Sequence, residues 1–193
     1  MKTRIVIADD DVITRLDIKE ALGFQGYDVV GEAADGIDAV ELCNKLRPDV
    51  VILDVKMPVM DGLTAAKLII EGQSDIAVIM LTAYNDRQFV DKAGEFGALG
   101  YLVKPVDEKS LGPTIEIAVK RRNEFRKLQD AVREQERKLE ERKLVEKAKG
   151  ILIKNNSLSE EDAYRYLRTI SMNKRKTMAE VAKIIIETEN MLH

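Results

Sequence analysis

The chain is nearly devoid of cysteine and histidine. Of its 193 residues one is Cys, Cys43, and one is His, the terminal His193. A single thiol cannot build an intramolecular disulfide framework. A single terminal imidazole excludes a histidine-rich metal site, a Ser-His-Asp triad and a Cys-His pair. Trp is absent and aromatics make up 5% of the chain, while charged residues reach 34%. That balance argues for a helix-rich protein over a β-sandwich or barrel. No uninterrupted apolar run approaches the ~18 residues of a membrane span. Residues 1–5 run straight into a strand-like segment, without the apolar core of a signal peptide. The expected compartment is therefore the cytoplasm. Hydrophobic residues still supply 45%, enough for a sizeable core, and the length allows one large domain or two small ones.

The net charge of −3 is unevenly spread: −8 over residues 1–110, +3 over 111–139 and +2 over 140–193. An acidic front and a basic back point to different partners for the two halves.

The first ~105 residues alternate between two periodicities. Short, continuously apolar, β-branched runs at 4–8, 28–31, 50–53, 77–81 and 100–103 read as strands buried on both faces. Amphipathic stretches at 12–22, 36–46, 61–71 and 86–96, and a last one after Pro105, read as helices. Five strand–helix repeats predict an α/β fold, a doubly wound parallel five-stranded sheet with helices on both faces. Right-handed crossovers then gather all strand C-termini on one edge, where ligands bind.

No strand signal follows Leu111. Pro113 and Thr114 open a helical pattern in which Ile115, Ala118, Phe125, Leu128, Val132 and Leu139 fit a heptad seam, interrupted at Gln135. The expectation is a helical coiled-coil linker at 121–139 that pairs with its copy. The rest predicts a small three-helix module at 140–193. Its first helix spans 138–154, with Leu144, Val145, Ala148, Ile151 and Leu152 on one side, and Asn155–Ser157 breaks it. Capping boxes at Ser159–Asp162 and Thr177–Glu180 open the other two. One carries Ala163, Tyr166, Leu167 and Ile170, the other Val181, Ile184, Ile185 and Thr188.

Acidic residues cluster at the predicted strand ends. Asp9, Asp10 and Asp11 follow the first strand, Asp54 ends the third, Thr82 the fourth and Lys104 the fifth. Carboxylates packed at one edge repel one another unless a divalent cation sits between them. An all-oxygen ligand set suits Mg²⁺. A Lys and a Thr hydroxyl beside it can neutralise and hydrogen-bond a phosphoryl group. Asp11 reads as a helix N-cap, and Cys43, on an amphipathic helix, as packed and inert.

The paired acids after the first strand, Asp54-Val-Lys-Met-Pro58, Thr82-Ala83 and Lys104-Pro105 together resemble the receiver domain of two-component response regulators, over about residues 1–120. The resemblance implies a flavodoxin-like fold with strand order 2-1-3-4-5. It makes Asp54 the phosphoacceptor for a sensor histidine kinase. Asp9, Asp10, Asp54 and the Lys56 carbonyl become the Mg²⁺ site, Thr82 and Lys104 the phosphoryl contacts, and Tyr101 the switch aromatic.

Glu146-Lys-Ala-Lys-Gly150-Ile-Leu, Ala163-Tyr-x-x-Leu-Arg168, Met172-Asn-Lys-Arg-Lys-Thr177 and Glu180-Val-Ala182 resemble an ANTAR domain. That family implies binding to hairpin RNA in nascent transcripts and transcription antitermination, while the linker seam leads to the expectation of a homodimer when phosphorylated. The run into Ala148-Lys-Gly150 is also similar to the antiterminators of ethanolamine utilisation in Gram-positive bacteria. Lys149, Arg168, Tyr164, Asn173, Lys174 and Arg175 are the candidate RNA contacts, because cations meet phosphates and aromatics stack on splayed bases. Asn173 falls in the expected turn before the last helix. A DNA-binding or protein-interaction output is the alternative. The β-hairpins of a winged helix and a well-formed helix-turn-helix are both missing from the pattern. An enzymatic output finds no Cys, internal His or Gly-rich phosphate loop in the back half.

Overall fold

A computed structural model describes residues 2–72, 75–83 and 97–192. The helix expected at 86–96 lies outside them. Two compact units result, Met1–Lys127 and Leu128–His193.

The first unit holds β1 (Arg4–Ala8), α1 (Val12–Phe24), β2 (Asp28–Ala33), α2 (Gly36–Leu46), β3 (Val50–Asp54), α3 (Gly62–Gly72), β4 (Ala77–Ala83) and β5 (Gly100–Lys104). The strands form one sheet in the order β2-β1-β3-β4-β5, and every pairing is parallel. Strand alternation divides the core in two. Val6, Ala8, Val51, Leu53, Val78 and Met80 face α2 and α3 through Ala39, Cys43, Ala65 and Ile69. Ile5, Ile7, Val50, Ile52, Ile79 and Leu81 pack with Ile18 and Leu22 of α1 and with Leu111, Ile115 and Ala118. Each of these fully buried Ile and Leu side chains contributes about 1.5–3 kcal/mol of transfer free energy. Cys43 is wholly buried and burial pushes its thiol up to about 12, so the inert reading of its sequence position agrees with its surroundings.

A single helix, α4, runs from Glu108 to Asn156. The sequence pattern separates three pieces here: a segment after Pro105, a linker opening at Pro113 and a helix from 138. The structure joins them. Pro113 is the sixth residue of the helix, where it forgoes one intrahelical amide bond without ending the helix. Beyond it no second proline interrupts, and the pairs Arg137–Glu134, Arg137–Glu141, Lys138–Glu134 and Lys143–Glu140 ladder the exposed turns. Near its start, Arg122 donates to the carbonyls of Asp49 and Asp75, clipping the helix under the N-terminal ends of β3 and β4.

The second unit adds α5 (Glu160–Lys174) and α6 (Met178–Leu192) to the end of α4. Its core is Ala148, Leu152, Ala163, Leu167, Val181, Ala182 and Ile186. Both capping boxes form. Ser159 accepts from the Asp162 amide at 3.1 Å. The Thr177 amide donates to Glu180 at 2.6 Å while Thr177 Oγ1 accepts from the Glu180 amide at 3.2 Å. Two apolar assignments shift. Tyr166 and Ile184, placed on buried faces by spacing, are each 47% exposed. Small Ala163 and Ala182 are wholly buried, and the buried stripe of α6 runs through 181, 182 and 186. Among the described residues no helix is long and apolar enough to cross a membrane.

Candidate functional site

Parallel pairing in register builds the acidic site. Ala8 pairs with Leu53, Asp54 with Leu81, Thr82 with Val103 and Ala83 with Lys104. Asp9, Asp54, Thr82 and Lys104 therefore reach the same edge although up to 95 positions separate them in sequence. Carboxylate oxygens of Asp9, Asp10 and Asp54 lie within 4.8 Å of one another, with Asp9 and Asp54 buried and Asp10 exposed. Lys104 Nζ bridges two of them, at 2.6 Å from Asp9 Oδ2 and 2.9 Å from Asp54 Oδ2. The Asp9 contact is an ion pair without a well-directed hydrogen bond, so this buried oxygen keeps coordinating capacity. A tight set of oxygen donors with one buried oxygen underused fits a hard divalent cation.

Burial pushes the Asp54 carboxyl above the usual carboxylate range, with Asp9 adding repulsion; Lys104 and the Lys56 amide pull the other way. Burial acts to lower Lys104, but its close contacts with the Asp9 and Asp54 carboxylates outweigh that and hold its ammonium charged. The Lys56 amide at Asp54 puts that backbone beside the acid. Thr82 is buried and its hydroxyl donates to the Ala83 carbonyl at 3.2 Å. Tyr101, on the same strand as Lys104, is 54% exposed. Asp11 caps α1, accepting from the Ile13 amide at 3.0 Å, as its position suggests.

The pattern of acids did not reveal the supports of the site. Arg15 reaches back to the Asp9 carbonyl at 2.5 Å and pins the acidic loop. Gly62 opens α3 against β3: a Cβ there would stand 1.9 Å from the Asp54 carbonyl oxygen. Between them Val59 adopts φ 64°, a left-handed conformation that opposes its β-branched side chain. The Met60 amide donates to the Pro58 carbonyl across it at 2.6 Å, closing a three-residue turn. The Asp61-Gly62 pair after Asp54 was the available signal.

In the second unit the candidate contacts separate. Arg168 is an exposed cation. Tyr164 and Tyr166 are equally exposed, so burial does not favour one for stacking. Asn173 and Lys174 belong to the last turn of α5 rather than to the turn after it. Arg175 is the left-handed cap, φ 52°. Lys149 departs most from expectation. It is 7% exposed, and its ammonium lies 2.9 Å from both Glu146 and Glu160. Its charge serves the junction between α4 and α5, which leaves Arg168 as the cleaner probe of nucleic-acid contact.

Two family models match: the response regulator receiver domain over residues 5–116 and the ANTAR domain over residues 133–186. The transcriptional regulatory protein PdtaR of Mycobacterium tuberculosis is 43% identical over 185 residues, covering 96% of this chain and 90% of that protein. Chemotaxis protein CheY of Treponema pallidum is 36% identical over 110 residues, covering 56% of this chain and 76% of its own length. Among solved structures, the receiver domain of the response regulator NarL from Mycobacterium tuberculosis superposes with a TM-score of 0.59 at 32% identity, covering 62% of this chain and 97% of that one. CheY in the CheX–CheY–BeF3–Mg2+ complex from Borrelia burgdorferi gives 0.55 at 32% identity, covering 58% and 86%. Matching models over both units and a relative along nearly the whole length lead to one conclusion: the chain belongs to the response regulators that carry a receiver domain followed by an ANTAR domain.

Proposed function

We propose that the chain is a phosphotransfer-controlled antiterminator: a sensor histidine kinase phosphorylates Asp54, the linker dimerises, and the ANTAR module binds hairpin RNA in nascent leader transcripts. The observation that carries the reading is Lys104 bridging Asp9 and Asp54 beside a third carboxylate. A buried nucleophile with a counter-cation beside it at a strand edge is built to receive a phosphoryl group. An Asp54 oxygen attacks phosphorus and the phosphorus–nitrogen bond of a phosphohistidine breaks; its electron pair returns to the ring, which leaves as neutral imidazole because the other ring nitrogen already carries a proton. Lys104 follows the charge from carboxylate to phosphoryl oxygens, and the Thr82 hydroxyl turns from the Ala83 carbonyl to one of them. Asp9, Asp10, Asp54 and the Lys56 carbonyl are the residues to hold Mg²⁺, whose charge would neutralise the incoming phosphoryl oxygens. Tyr101 responds from the same strand as Lys104. Beside the acids, α1 exposes Val12, Ile13 and Leu16, an apolar row suited to a kinase helix. The chain acts as a cytoplasmic regulator, with phosphotransfer and self-dephosphorylation as its only chemistry.

Phe125, Leu128, Val132 and Leu139 are each more than half exposed at heptad spacing, which supports pairing with a second copy. Sedimentation of the phosphorylated chain is expected to give a dimer. Val132→Glu should weaken it by at least 10-fold, since desolvating a charge in the seam forfeits the ~1.5–3 kcal/mol of an apolar anchor. A phosphorylated wild type that stays monomeric rules pairing out.

The RNA reading is tested with a pool of two-hairpin RNAs with randomised loops, against duplex DNA of matched length. The phosphorylated chain should select RNAs from the pool and ignore the duplex. Arg168→Ala should weaken the selected complex by about 1–2 kcal/mol and flatten its salt dependence. Preference for the duplex would favour a DNA-reading output instead.

A further inference from the structure

Gly150 sits in α4 six residues before the helix ends, in an exposed position. A glycine in a helix interior is costly, because it gives up backbone freedom for no side-chain contact. Other described glycines have a local reason. A Cβ at Gly62 or Gly36 would meet backbone oxygen, while Gly23 and Gly72 fall at helix ends. At Gly150 a Cβ would find nothing within 4 Å beyond its own helix turn. The fold itself makes no use of the missing side chain.

Its neighbours are informative. Lys143, Lys147, Gly150 and Lys154 follow one another at intervals of four, three and four residues, so they share one face of the helix. Ala148 and Leu152 occupy the opposite, buried face. Lys147 and Lys154 make no ion pair among the described residues, and Lys143 pairs only with exposed Glu140. Lys149, the one lysine of this stretch turned inward, is the one neutralised by two carboxylates. The outer face is thus a cationic strip with a notch one side chain deep between Lys147 and Lys154.

We propose that this strip is the backbone-binding surface for RNA, with Gly150 kept bare so that a phosphate–ribose segment lies directly on the helix between Lys147 and Lys154. The inference rests on the RNA reading above and locates its site. Surface lysines alone would merely attract polyanions. The notch adds shape, because a backbone seated there brings successive phosphates within reach of a lysine on either side. The contact is with the sugar–phosphate chain, which leaves base reading to Arg168 and the tyrosines of α5.

The test exploits a conflict between stability and binding. Gly150→Ala and Gly150→Leu in the full chain should raise the melting temperature, since both are better helix formers. Both should weaken binding to an RNA that the wild type has selected from the two-hairpin pool, Leu by at least about 10-fold. Lys147→Gln and Lys154→Gln should each lower affinity and reduce the salt slope by about 1. A melting temperature that falls in Gly150→Ala would show that the fold needs the glycine, and would overturn the proposal. So would a Gly150→Leu chain, or the two glutamine variants, binding with wild-type affinity and slope. In those cases the RNA reading survives with its site elsewhere. A wild type that selects no RNA, or binds duplex DNA through the same lysines, overturns the reading on which the proposal stands.

Discussion

Asp54→Asn should abolish phosphorylation and leave a more stable protein. With acetyl phosphate and magnesium, the wild type is expected to take up one acid-stable, base-labile phosphoryl group. The variant should incorporate it at least on the order of 10³-fold more slowly, because an amide oxygen at the same place is a poor nucleophile. The stability gain has a separate cause. The folded Asp54 carboxyl lies above its ordinary range, chiefly through burial and further through Asp9, so its ionised form is disfavoured by folding. For such a group, stability is fully present below the unfolded pKa and lost as pH rises through the folded one. At neutral pH the wild type carries that cost, and the asparagine, which never ionises, does not. Lys104 retains Asp9 as a partner at 2.6 Å. Thermal melts without magnesium should therefore rank the variant above the wild type at pH 7, with the gap closing on acidification. Magnesium should raise the wild-type midpoint and narrow the difference, because it binds the native carboxylates. Phosphorylation of Asp54→Asn at the wild-type rate would remove Asp54 from its assigned role, and a variant less stable at pH 7 would show that burial does not disfavour the ionised Asp54 carboxyl.

The receiver half was legible because its physics is local and repetitive. Strands buried on both faces must be continuously apolar, and such runs end abruptly at Asp9, Asp54, Thr82 and Lys104. A parallel sheet then forces those ends together, so the site followed from topology before any distance was known. The output half resisted for complementary reasons. A lysine in a basic motif looks the same whether it faces solvent or a carboxylate, and only folding brings Glu160 to Lys149 across eleven residues. Spacing alone put Tyr166 and Ile184 inside. The core forms instead around Ala163, Leu167, Val181, Ala182 and Ile186, since a bundle this small buries only a narrow stripe of each helix. The turn assigned to Asn173 became helix because the left-handed residue that stops α5 is Arg175. The break expected within 108–156 did not occur either: the helix runs on through Pro113, and charge pairs at i,i+3 and i,i+4 support its exposed turns.

Glycine carries the least sequence signal and, beside Asp54, the largest expected structural effect. Gly62 donates its amide to the Val55 carbonyl at 3.0 Å, which draws the start of α3 onto the end of β3. A Cβ would lie 1.9 Å from the Asp54 carbonyl oxygen and 2.8 Å from its carbonyl carbon. Neither is the flexible end of a side chain, so the helix start or the strand end must move. Alanine favours helix over glycine by ~1 kcal/mol, but steric overlap in a packed region costs about 1–3 kcal/mol or more, and here backbone resists. Gly62→Ala is therefore expected to lower stability by roughly 2–4 kcal/mol in denaturant melts. It should also slow phosphorylation by acetyl phosphate more than 10-fold while Asp9, Asp10, Asp54, Thr82 and Lys104 all remain, because a shift of about 1 Å at a reacting carboxylate is enough. Gly23→Ala is the matched control. It lies near the end of α1, where a Cβ meets nothing within 4 Å, and it should be neutral or stabilising with phosphorylation unchanged. If Gly62→Ala behaves like Gly23→Ala in both measurements, then the contact between α3 and β3 does not set the position of the Asp54 carboxylate, and its placement comes from Lys104 and the sheet alone.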